Sequence, residues 1–162
     1  MGRLKDVPLE DPQLTFYVVR SREYIDGAPR TGWAVVNEHL DVERSGRIDG
    51  SLSAQVAELV ALTEALKLAE GKTVNIYTNS RYAFGVVHDY MTAWGRRDFI
   101  TTGGEPVKNQ VRIRNLLEAS SKPTQAAVIK IKAHQKVKTK EQEGNQAADK
   151  VRNGWNKWRP QE

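Results

Sequence analysis

The chain has no cysteine among its 162 residues. That excludes disulfides and thiolate metal sites, and it fits an intracellular setting. Nor does any apolar run approach the roughly 18–20 residues that a membrane span needs. The opening residues, Met1-Gly2-Arg3-Leu4-Lys5-Asp6, carry no apolar stretch of signal-peptide type and no Ser or Thr at position 6 for myristoylation. The expectation is an intracellular protein with no membrane partner. Internal repeats and low-complexity tracts are absent too, which argues against a solenoid or a flexible tail as the main feature.

Hydrophobic residues at 39% and charged residues at 28% suit one soluble domain large enough to bury a core. The net charge of +5 is unevenly spread. Between Lys122 and Arg159 ten Lys or Arg face Glu141, Glu143 and Asp149. A basic face of that kind suits a polyanion, although a merely solvated surface has the same composition.

Residues 1–13, with Pro8 and Pro12, read as a linker or domain boundary, residues 14–158 as the domain, and 159–162 as a tail. Leu14-Thr15-Phe16-Tyr17-Val18-Val19 is strongly β-prone, and Asp26-Gly27 marks a turn. Gly32 to Val36 and Leu40 to Ile48 continue an antiparallel meander of three strands. Ser53 then opens a long helix to Glu70, with Gly71 as its left-handed stop. That helix is apolar around most of its girth, yet it carries Glu58, a carboxylate that is costly to bury alone. Val74 to Thr78 is a fourth strand, with a helix from Ser80 to about Tyr90 and a basic one near 91–99. A helix from Val107 to Ala119 follows, with Val111, Ile113, Leu116 and Leu117 as its apolar set. Ala126 to Ile131 is the fifth strand, and a last helix spans about Glu141 to Trp158.

The stretch Asn75-Ile76-Tyr77-Thr78-Asn79-Ser80-Arg81-Tyr82 sits at a strand tip feeding a helix, with Ser80 placed to cap it. Open α/β sheets put their chemistry at such tips. A carboxylate at position 79 would read as a metal ligand, but the residue is an amide.

These residues resemble the RNase H domains of retroviruses, the gammaretroviral type above all. Ser53-Ala54-Gln55-Val56-Ala57-Glu58-Leu59 looks like the first-helix motif, and Tyr77-Thr78-Asn79-Ser80-Arg81-Tyr82 the fourth-strand motif. His134-Gln135 and Gly144-Asn145-Gln146-Ala147-Ala148-Asp149 are similar to the late loop and last helix. The resemblance implies an α/β, RNase H-like fold: a five-stranded mixed sheet with helices on both faces, including the extra basic helix around Trp94-Gly95-Arg96-Arg97. It also implies four carboxylates gathered on two divalent cations, one activating water and one steadying the leaving oxygen. The corresponding positions here read Val19, Glu58, Asn79 and Asp149.

Two of the four carboxylates are therefore missing. Val19 offers no ligand atom, and Asn79 offers one neutral oxygen that cannot bridge two cations. Asp26 in Tyr24-Ile25-Asp26-Gly27 is a conceivable replacement for the first-strand ligand. Spacing favours Val19, which lies 13 residues before Gly32 and 39 before Glu58, whereas Asp26 lies 6 before Gly32. The expectation is an inactive domain without a cofactor, the two-magnesium site being lost. Exchange of Asp-Gly for Val19-Arg20 is not an isosteric knock-out, which fits natural retirement in a host-captured retroviral gene.

A nucleic-acid surface can outlive the catalysis. By resemblance, Gln55 reaches the minor groove, Ser80, Arg81 and Tyr82 lie near the backbone, and Arg96, Arg97, Lys136 and Lys138 supply positive charge. The expected partner is an RNA/DNA hybrid or duplex, read by shape and phosphate contacts. Plain alternatives stand beside each: Tyr82 as a packed aromatic, Arg96 and Arg97 as a solvated face, His134 as a loop relic. Trp94, Trp155 and Trp158 are either stacking platforms or helix-packing residues. Two further readings stay open, a scaffold or protein-interaction domain without nucleic acid, and a residual metal-dependent hybrid nuclease.

Overall fold

Residues 4–48 and 54–132 are described in the structure, a computed structural model, with the backbone alone at 22, 23, 25 and 29. The β-prone run after Gln13 forms β1 (Leu14–Ile25), which pairs antiparallel with β2 (Ala28–Asn37) down to Ile25↔Ala28. Asp26 and Gly27 make the two-residue turn between them, both at positive φ (53° and 77°). Consecutive left-handed residues of this kind match the twist of a hairpin, and Asp-Gly tolerates them. β1 thus continues through residues 20–25, four of them charged or polar, which apolar content alone does not mark as strand. The ladder to β2 satisfies their backbone, so side-chain hydrophobicity is not required there.

β3 (Val42–Ile48) pairs with β2 and forms one edge. It starts later than the expected Leu40, whose own φ of 72° places it in the preceding turn. α1 (Ala54–Leu68) follows, and Gly71, at φ 76°, ends the turn that leads into β4 (Thr73–Thr78). β4 lies parallel to β1, and β5 (Gln125–Lys130) parallel to β4, giving the order β3-β2-β1-β4-β5. This is the expected five-stranded mixed sheet.

Between β4 and β5 the expected helix from Ser80 is broken into pieces. α2 (Arg81–Gly85) passes through a wider π-helical turn, Val86–Tyr90, into α3 (Met91–Arg96), the basic helix. α4 (Gln110–Ala119) begins later than Val107, because Asn109 at φ 63° interrupts the chain before it. Val111 is 62% exposed and leaves the apolar set; Ile113 and Leu116 are fully buried, with Leu117 packed beside them.

Period-two alternation divides the sheet's side chains between two faces. Phe16, Val18, Trp33, Val35, Val74, Ile76, Ala126 and Val128 meet α1, α2, α3 and α4 in the larger core. Tyr17, Val19, Ala34, Val36 and Tyr77 form a second cluster on the other face. The last helix expected over 141–158 lies outside the described residues. The segment read as a linker also touches this sheet. Lys5 bridges Ala127 at the β5 edge, and Leu9 exchanges hydrogen bonds with the Asn75 side chain at 2.8 and 3.2 Å. Among the described residues no helix is long and apolar enough to cross a membrane.

Candidate functional site

β1 and β4 run side by side in register, Tyr17 opposite Tyr77 and Val18 opposite Thr78. The two tyrosine rings stack with centroids 5.2 Å apart. The next residues along each chain are Val19 and Asn79, so two of the positions expected to hold carboxylates are neighbours at the end of β4. Val19 is 5% exposed and belongs to the apolar cluster of Tyr17, Ala34, Val36 and Tyr77.

The next side chain on β1 turns to the opposite face, where α1 lies. There Arg20 Nε donates to Glu58 Oε2 at 2.7 Å. Ser80 donates its hydroxyl to the other oxygen, Glu58 Oε1, at 2.6 Å. The same Ser80 oxygen accepts from the Ala83 amide at 2.9 Å and caps α2, while the Ser80 amide donates to Thr78 Oγ1 at 3.0 Å. Glu58, whose side chain is 14% exposed, thus has a cation on one oxygen and a hydroxyl donor on the other. That answers why the apolar helix α1 can carry a carboxylate: it is paired and hydrogen-bonded where it enters the protein.

The remaining expected residues divide plainly. Ser80 is buried, and its hydroxyl is committed to Glu58 and Ala83, so it positions the carboxylate rather than facing outward. Arg81, next in the chain, is exposed. Gln55 is half-buried, one turn before Glu58 on α1. Tyr82 packs against the larger core and its hydroxyl accepts from Asn109 Nδ2 at 3.0 Å, as a packed aromatic does. Arg96 and Arg97 are both exposed at the end of α3. Trp94 stacks on Tyr90 at 5.2 Å and packs against the core. Asp26 sits in the hairpin turn six residues past Arg20, about 20 Å further along an extended strand. Asp149, His134, Lys136, Lys138, Trp155 and Trp158 lie outside the described residues.

Arg20 is the residue that sequence reasoning missed. The resemblance marks it only as standing in place of a Gly, yet two signals point to it. Alternation from Tyr17 and Val19 puts it on the face of α1, and Glu58 on that helix needed a partner. Among the described residues no group of three or more His, Cys, Asp or Glu side chains gathers as a metal site would require.

Comparison with known proteins fits this geometry. The RNase H family profile matches residues 17–154. The Gag-Pol polyprotein of Walleye dermal sarcoma virus is 46% identical over 91% of this chain, and the chain spans 8% of that polyprotein's length. The Pol polyprotein of Feline endogenous virus ECE1 is 43% identical over 91% of this chain, which spans 14% of its length. In three dimensions the solution structure of the PFV RNase H domain is similar, with a TM-score of 0.72 at 22% identity. That match covers 90% of this chain and 94% of the other. Foamy viral protease-reverse transcriptase in complex with RNA/DNA hybrid is similar over 94% of this chain and 21% of its own, with a TM-score of 0.71 at 22% identity. With the family profile covering most of its length and the mixed sheet in the same arrangement, the chain belongs to the RNase H family.

Proposed function

We propose that this chain is a catalytically inactive RNase H domain that binds nucleic acid without a divalent cation, as one module of a larger polyprotein-derived protein. One observation carries the reading: Glu58 is bonded by Arg20 on one oxygen and by Ser80 on the other. A two-cation centre needs oxygen ligands with uncommitted charge to offset the cost of stripping water from the ions. The residues present do not fit it. Val19 has no ligand atom, Asn79 is neutral, and the charge of Glu58 is already met by a guanidinium. Such cations would activate water and hold the leaving oxygen, and among the described residues nothing else at these strand tips supplies that chemistry.

Binding needs less than cleavage does. Arg81, Arg96 and Arg97 are exposed cations on α2 and α3, able to meet phosphates without any metal. The similar foamy viral protease-reverse transcriptase has been seen in complex with an RNA/DNA hybrid, which favours a hybrid or duplex as ligand here. The replacement of Asp-Gly by Val19-Arg20, with a new ion pair to match, supports retirement in a captured retroviral gene over a designed knock-out.

The test is a labelled RNA/DNA hybrid titrated with the whole chain in EDTA across a salt series. Micromolar binding that weakens steeply with salt, with the hybrid uncut when Mg²⁺ is added, is the expected result. Absence of binding at low salt defeats the reading and turns attention to a protein-interaction role.

A further inference from the structure

We infer that Arg20 does the work of a cation at this site: it neutralises Glu58 and also anchors a phosphate of the bound nucleic acid. The inference rests on the nucleic-acid reading above and names the contact at its centre. Arg20 uses Nε for Glu58, and among the described residues its two Nη groups have no partner. Its side chain is 42% exposed, and the Nε bond holds the guanidinium plane in place. A planar fork with one edge fixed and the other open is suited to a phosphate oxygen pair.

The charge balance agrees. Four carboxylates without metal would repel a phosphodiester. Here the described Arg20 and Glu58 cancel each other's charge, with Ser80 neutral beside them, so the pair does not repel a phosphate. Glu58 then acts as the positioning residue: with Ser80 holding its other oxygen at 2.6 Å, it fixes where the guanidinium points. A guanidinium tied in this way loses less freedom on meeting a phosphate than a solvated lysine does.

The experiment compares hybrid binding by the wild-type chain, R20M, R20K, E58Q and the R20M/E58Q double variant, all in EDTA across a salt series. Thermal melting confirms folding of each. R20M should weaken binding roughly tenfold and flatten the salt dependence by about 0.9 in log–log slope, the value for one lost phosphate contact. R20K should keep most of the slope and lose part of the affinity, because it keeps the charge but not the fork. E58Q keeps the Arg20 charge but unties its guanidinium, so it should hold the wild-type salt slope and lose part of the affinity. R20M/E58Q, which leaves no unpaired carboxylate behind, should show the same flattened slope as R20M. Melting points that fall in R20M while its affinity and slope match wild type would overturn the phosphate contact and leave the nucleic-acid reading standing. A wild-type chain that fails to bind at low salt overturns both.

Discussion

Removing the Arg20 guanidinium should destabilise the fold through Glu58, and a double-mutant cycle measures how much. In R20M the apolar stem is kept, but a carboxylate only 14% exposed retains one donor, Ser80. Exposed ion pairs contribute about 0.2–1 kcal/mol, and breaking a buried one costs about 3–5 kcal/mol. Arg20 is 42% exposed, so most of the buried figure is screened away and a loss of about 1–2 kcal/mol is expected. For a domain of this size that lowers Tm by roughly 2–8 °C. E58Q should cost less, about 0.5–1 kcal/mol, because the amide oxygen still accepts from Ser80 and Arg20 can turn to water. The R20M/E58Q variant should then fall short of the sum by about 1 kcal/mol, read by urea denaturation followed by circular dichroism. A coupling below ~0.4 kcal/mol, the scatter of independent sites, would show that the two side chains do not act as a pair.

Other outcomes follow from the same geometry. S80A removes the α2 cap and one of the two bonds to Glu58, so it should cost about 2 kcal/mol and lower Tm by roughly 4–8 °C. Millimolar Mg²⁺ should leave the Tm of the wild-type chain unchanged, because ligands that bind only the folded state raise it and no such site is proposed; a rise of several degrees in a melting scan contradicts this. Restoring carboxylates with V19D/N79D should give little Mg²⁺-dependent hybrid cleavage while Arg20 still holds Glu58. Adding R20G should raise it, as scored on a labelled hybrid; equal cleavage with and without R20G would mean that Arg20 does not compete with a cation.

Much of this was legible in the sequence because local chemistry and global fold agree. The run from Leu14 to Val19, the Asp26-Gly27 turn, the apolar helix ending before Gly71 and the Ser80 cap are readings that the structure bears out. The sequence was less informative where backbone pairing outweighs side-chain type. Residues 20–25 carry no continuous apolar run, yet the β2 ladder makes them strand. Val111 fits a helical stripe on paper, and the left-handed Asn109 shifts where the helix starts and leaves Val111 in solvent. At the site, the resemblance implies carboxylates at 19 and 79, and that Val and Asn stand there can be read directly. The Arg20–Glu58 pair cannot, because it joins residues 38 apart.

The central claim is that nucleic acid is held here without metal and without cleavage. It is tested most directly by titrating one labelled RNA/DNA hybrid twice across the same salt series, once in EDTA and once in Mg²⁺, and then checking the probe's length. The account predicts the same affinity and slope in both, with the probe intact. Binding that appears only with Mg²⁺, or a probe cut in its presence, would contradict it.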